Sequence, residues 1–142
     1  MPVDVQRVHG GLGRLFLCRG AVKGGEFIAR NQEMLSAKAD YRGVRWVLID
    51  QTRSTSLDIP SAEVQVIVEQ DERLAAELPE LVIGVVVPQD LGFGVSRMWE
   101  MLTERPGWSV RVFRARPEAE AWLREEVRRK FGMELPEDLT AP

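Results

Sequence analysis

Two carboxylates, Asp50 and Asp58, bracket a run of hydroxyls at Thr52, Ser54, Thr55 and Ser56, with Ser61 just beyond. Such a run between an apolar strand and an amphipathic helix has two chemical uses. A phosphate on Ser56 or Ser61 adds nearly two negative charges beside a helix N-terminus, where the dipole favours an anion. The same residue types also close turns and cap helices, with Ser54, Thr55 and Ser56 serving turn backbone and Asp58 or Ser61 the cap. A second stretch, PQDLGFG at 88–94, offers amides at Gly92 and Gly94 and a cation at Arg97, a combination able to hold an anion. It lacks the third glycine of a dinucleotide fingerprint and the lysine of a phosphate loop. Asp90 as a helix cap, with glycines permitting close packing, is the alternative. His9 is the only histidine and Cys18 the only cysteine, so neither belongs to a converging set for metal or general-base chemistry. No catalytic constellation, metal site or cofactor is expected, and Cys18 is expected to be an inert buried thiol.

The elements that must position these residues are legible as alternating periods. Strands are predicted at 3–8 and 14–22, joined across Gly10-Gly11, and at 45–50, 82–88 and 108–113. In the second, Leu15 and Leu17 alternate with Phe16 and Cys18, so both faces are apolar and the strand is central. Trp108, Val110 and Val112 alternate with Ser109 and Arg111, the pattern of a strand near the sheet edge. Helices are predicted at 24–38, 61–78, 93–104 and 117–131, with a turn at 40–43 between the first helix and the third strand. Pro60 suits the start of the second helix, Pro79 its end, and Gly132 the stop of the last. The order ββαβαβαβα predicts an α/β domain with a mostly parallel mixed sheet covered by four helices. Residues 1–131 read as that single domain, and the proline-flanked acidic tail 132–142 is expected to fray. Trp46, Trp99, Trp108 and Trp122 are expected to face inward, and Phe27, Trp99 and Trp122 are candidates to line an apolar ligand pocket.

At 142 residues, 44% apolar and 29% charged, the chain is an ordinary one-domain length with a core that needs no disulfide. A net charge of −3 with both signs interspersed carries no basic stripe for nucleic acid. The N-terminus MPVDVQ has no basic and apolar leader, and the run LVIGVVVP is too short to span a bilayer. With its single cysteine, the expectation is a cytoplasmic protein.

The segments YRGVRWVLIDQTRSTSLD, PQDLGFGVSRMWE and WSVRVFRARPEAEAWL resemble the STAS fold of bacterial anti-sigma-factor antagonists. The resemblance covers roughly residues 12–125 and is strongest to the SpoIIAA-like branch, some of whose members are compared with lipid-binding Sec14 domains. Family members place a phosphorylatable serine directly after the second acid of the loop. Here Asp58 is followed by Ile59 and Pro60, and Ser61 lies two positions further than the family pattern. The resemblance implies a non-catalytic regulatory module that binds a protein partner, such as an anti-sigma-type protein, through loops at the carboxyl end of the sheet. On that reading the contact residues are Asp50, Ser54, Ser56, Leu57, Asp58, Ser61, Asp90, Leu91, Gly92 and Phe93. The Sec14 comparison implies instead a small apolar ligand or lipid between sheet and helices. A hydrolase or nucleotide enzyme rests on the strand-end loops alone.

Overall fold

The computed structural model describes residues 2–142, with the side chain of Leu91 outside that description. Its strands are β1 (Val3–Val8), β2 (Gly13–Lys23), β3 (Trp46–Asp58), β4 (Leu81–Val86) and β5 (Trp108–Phe113). They form one sheet in the order β1-β2-β3-β4-β5. β1 is antiparallel to β2 and the remaining pairs are parallel. The helices are α1 (Gly24–Ser36), α2 (Lys38–Tyr41), α3 (Ser61–Glu77), α4 (Asp90–Leu102) and α5 (Arg116–Phe131). The α/β architecture and the mostly parallel mixed sheet are those the residue periods predict, with β2 central and β5 at an edge. The short α2 occupies residues expected to finish the first helix and begin a turn.

Because spatial order follows chain order, every β-α-β crossover steps the same way along the sheet. Right-handed crossovers then deliver α1, α3 and α4 to one face. α5 follows the last strand and covers the other. Phe16, Val47, Leu57, Ile83, Val85 and Val112 belong to the first core. Leu15, Trp46, Leu48, Val82 and Val86 pack with Ala119, Leu123 and Val127 of α5 in the second. Gly84 is what lets α5 approach: a Cβ there would lie 3.3 Å from Leu123 Cγ.

Three elements differ from expectation. β3 does not stop at Asp50 but runs on to Asp58, because the long β2 remains beside it and pairs as far as Lys23 with Asp58. The ladder absorbs register shifts between Leu17 and Arg19 and between Gly20 and Ala21, with Gly20 at φ +64°. α4 begins at Asp90, so Gly92 and Gly94 are helical rather than loop residues. Its first turn lies against the sheet, where a Cβ on Gly92 would sit 2.7 Å from Val87 Cγ1. The tail expected to fray is packed: Leu135 and Leu139 are buried in the second core. Arg124 donates to the carbonyls of Pro136 and Glu137, each at 2.9 Å, and the His9 and Gly10 amides donate to those of Ala141 and Pro142. Two apolar residues and a donor-rich arginine outweigh the prolines that suggested fraying. Among the described residues, no helix is long and apolar enough to cross a membrane.

Candidate functional site

The face covered by α1, α3 and α4 is not completely filled. A cavity of about 90 Å³ lies between these helices and β3, β4 and β5. Val47, Ile49 and Gln51 point into it from alternate positions of β3, and Val64, Ile67, Asp71 and Leu74 from one stripe of α3. α1 contributes Phe27, Asn31 and Met34, and α4 contributes Val95, Ser96 and Trp99. The walls are apolar except for four side chains, Asn31, Gln51, Asp71 and Ser96, all belonging to buried residues.

Two of these polar groups stand out energetically. Trp99 Nε1 donates to Asp71 Oδ2 at 2.8 Å, and Asn31 Nδ2 donates to Oδ1 at a long 3.4 Å. Burial pushes the Asp71 carboxyl up to about 7, against the opposing pull of the Trp99 hydrogen bond, the Arg105 charge and the Asn31 hydrogen bond. Gln51 is 3% exposed, and its Oε1 has no hydrogen-bond partner among the described residues. An orphaned buried acceptor of this kind costs about 1–3 kcal/mol. The arrangement suits an apolar molecule with one polar end.

The residues expected to form a partner-binding rim are dispersed in depth. Asp50 is buried on the α5 face, where Oδ2 accepts from Arg116 Nη1 at 2.8 Å and Oδ1 from the Thr52 amide at 2.9 Å. It is therefore occupied in anchoring the start of α5. Ser54 is buried too: its hydroxyl donates to the Gln51 carbonyl at 2.7 Å, and its own carbonyl accepts from Gln89 Nε2 at 2.7 Å. Leu57 is a core residue, and Phe93 is half-buried with the Arg114 guanidinium 4.3 Å above its ring. Ser56, Asp58, Ser61 and Asp90 are exposed. Leu91, also expected on this rim, carries a side chain outside the described residues.

The capping expectations are corrected. Pro60 holds the N-cap position of α3 and Gln89 that of α4, and neither makes a side-chain cap. Ser61 and Asp90 are instead the first helical residues, and Asp90 Oδ1 accepts from Arg114 Nη1 at 2.5 Å. The proposed trio of pocket aromatics is also corrected. Phe27 and Trp99 line the cavity, but Trp122 lies across the sheet, its ring 5.7 Å from that of Phe113 and only partly buried. A period of 3.6 shows that Trp122 lies on an inward stripe of its helix but not which side of the sheet the helix covers. Trp46 and Trp108 are buried as expected, while Trp99 is partly covered. Cys18 is buried and its thiol is pushed up to about 12 by burial and then by the Asp50 charge, which leaves it unreactive. His9 Nδ1 accepts from Trp46 Nε1 at 3.1 Å.

Sequence reasoning missed Gln51, Asp71, Asn31 and Ser96. A signal existed for two of them. Asp71 falls on the apolar stripe of α3 with Val64, Ile67 and Leu74, and Gln51 continues the inward alternation of Val47 and Ile49 once β3 is known to extend.

No family model matches the sequence, and comparison with curated proteins finds no match. Similar solved structures include the following two. One is an uncharacterized protein of the DUF3478 family with a SpoIIAA-like fold from Shewanella loihica PV-4. It is 17% identical at a TM-score of 0.51, the match covering 85% of this chain and 91% of that one. The other is the anti-sigma factor antagonist SpoIIAA in its unphosphorylated form, 14% identical at a TM-score of 0.50, covering 87% and 97% of the two chains. The element order, the hairpin-led sheet and these two superpositions agree on one conclusion: the chain has a SpoIIAA-like fold.

Proposed function

We propose that this chain is a non-catalytic cytoplasmic binding module whose ligand is a small, mostly apolar molecule held between the sheet and α1, α3 and α4. The observation that carries the reading is the cavity of about 90 Å³ with an unpartnered amide oxygen in its wall. Apolar wall left in contact with water costs about 25 cal/mol per Å² of its surface. A ligand removes that cost as it binds. The size points to a fragment of a few carbons, since cavities of about 150 Å³ are what a benzene ring occupies.

The test is a methyl-resolved NMR titration of the full chain with a panel of small apolar fragments. Shifts are expected at Val64, Val95 and Val85 and not at Leu123 or Val127. Perturbation confined to the α5 face, or none at millimolar concentrations, refutes the reading.

A second reading is favoured by the exposed row Ser56, Asp58 and Ser61 beside the uncapped start of α3. There a regulatory protein partner docks at the carboxyl end of the strands, and phosphate on Ser56 or Ser61 alters the docking. Ser56→Glu then changes partner affinity while leaving the thermal melt nearly unchanged. A partner that binds Ser56→Glu and Ser61→Glu as it binds the parent chain removes this reading.

A further inference from the structure

We infer that the cavity selects an uncharged ligand with a hydrogen-bond-donating head, a hydroxyl or neutral N–H, over ligands that only accept and over anions. This rests on the ligand reading above and deepens it. Two of the wall's donors are already in use and one of its acceptors is not. Asn31 Nδ2 and Trp99 Nε1 are both spent on the Asp71 carboxyl. Gln51 Oε1, in a residue that is 3% exposed, meets no donor among the described residues. A donor on the ligand satisfies that oxygen and converts a standing cost into a hydrogen bond. A ligand that only accepts leaves the oxygen orphaned. An anionic head would have to shed its water against walls that carry, among the described residues, no lysine or arginine to pair with it.

The probes are three small molecules of four heavy atoms each: 2-propanol, which donates; acetone, which only accepts; and acetate, an anion. Each is titrated by NMR into the full chain and into Gln51→Leu and Gln51→Met. Two variants guard against one of them failing to fold. 2-Propanol is expected to bind roughly tenfold more tightly than acetone, the scale of one buried hydrogen bond made or left unmade. The carboxylate is expected not to bind, and the preference is expected to vanish in both variants. Acetone binding as well as 2-propanol, or acetate binding best, overturns the selectivity while leaving the cavity a ligand site. A preference that survives in a folded Gln51 variant overturns the assignment to that residue. Failure of all three molecules to shift any cavity methyl defeats the ligand reading itself, and the selectivity with it.

Discussion

Adjacent residues of β3 serve opposite sides of the sheet, and the two sides are built to different standards. Trp46 and Leu48 face α5, where Ala119, Leu123 and Val127 are fully buried against them. The polar residue at the end of that row, Asp50, is matched by Arg116 and by the Thr52 amide. Val47 and Ile49 face the other way, into a space that α1, α3 and α4 do not fill. The polar residue ending that row, Gln51, has an unmatched oxygen. Both polar residues are buried, so burial of a polar group is not what singles out a site. The lack of a partner, in a wall that also leaves a void, is what does.

The sharpest way to break this contrast is truncation on each side. Leu123→Ala is expected to cost about 3–5 kcal/mol in urea melts, since nothing around Gly84 can collapse into the space left. Ile67→Ala, beside the existing cavity, is expected to cost less, about 2 kcal/mol, because its side chain already has fewer partner atoms on one side. Equal losses refute the difference in packing.

Next in size is the pH dependence of Asp71. Its folded carboxyl lies at about 7, raised from 3.8, so the folded state holds a proton that the unfolded state has released between these values. Its contribution is therefore fully present below about pH 4 and is lost as pH rises through 7. Asp71→Asn is expected to be about 2–3 kcal/mol more stable than the parent at pH 8, with the gap closing by pH 4. Denaturant midpoints across that range check it, and a gap independent of pH rules out the titration.

Smaller effects of opposite sign are expected at the neighbouring positions of β3. Gln51→Leu should stabilise by about 1–2 kcal/mol by removing an orphaned acceptor, whereas Asp50→Ala should destabilise by a similar amount by taking the acceptor from Arg116 Nη1 and the Thr52 amide. Loss of stability in both variants, read from chemical melts, means that Gln51 is satisfied in solution. The smallest effect comes from filling the void. Val95→Leu should raise stability by about 0.5–1 kcal/mol and weaken fragment binding in the same protein. A variant more stable yet binding as before moves the ligand elsewhere.

Much of the fold was readable because its signals are local. Val82 to Val87 form an unbroken apolar run that only a strand covered on both faces can use, and the structure buries all of it. The 3.6 period of Ala119, Leu123 and Val127 and the glycine after Phe131 defined α5, whose C-cap Gly132 adopts φ +64°. The site was much less readable. Ser54 and Ser56 have the composition of a loop, and only the continuing β2 beside them makes them strand residues. Gly92 reads either as an amide able to hold an anion or as a glycine permitting close packing, and only Val87 and Leu57 beside it decide for the second.

The order of elements, the central position of β2 and the apolar stripe of each helix were determined by the sequence alone, because hydrophobic periodicity is a property of near neighbours in the chain. Tertiary structure decided that Trp122 and Trp99 lie on opposite sides of the sheet, that Asp50 finds Arg116, and that Gln51 Oε1 finds no partner among the described residues. Each of those outcomes depends on groups brought together from distant parts of the chain, and no local pattern encodes whether a buried polar atom will meet its partner there.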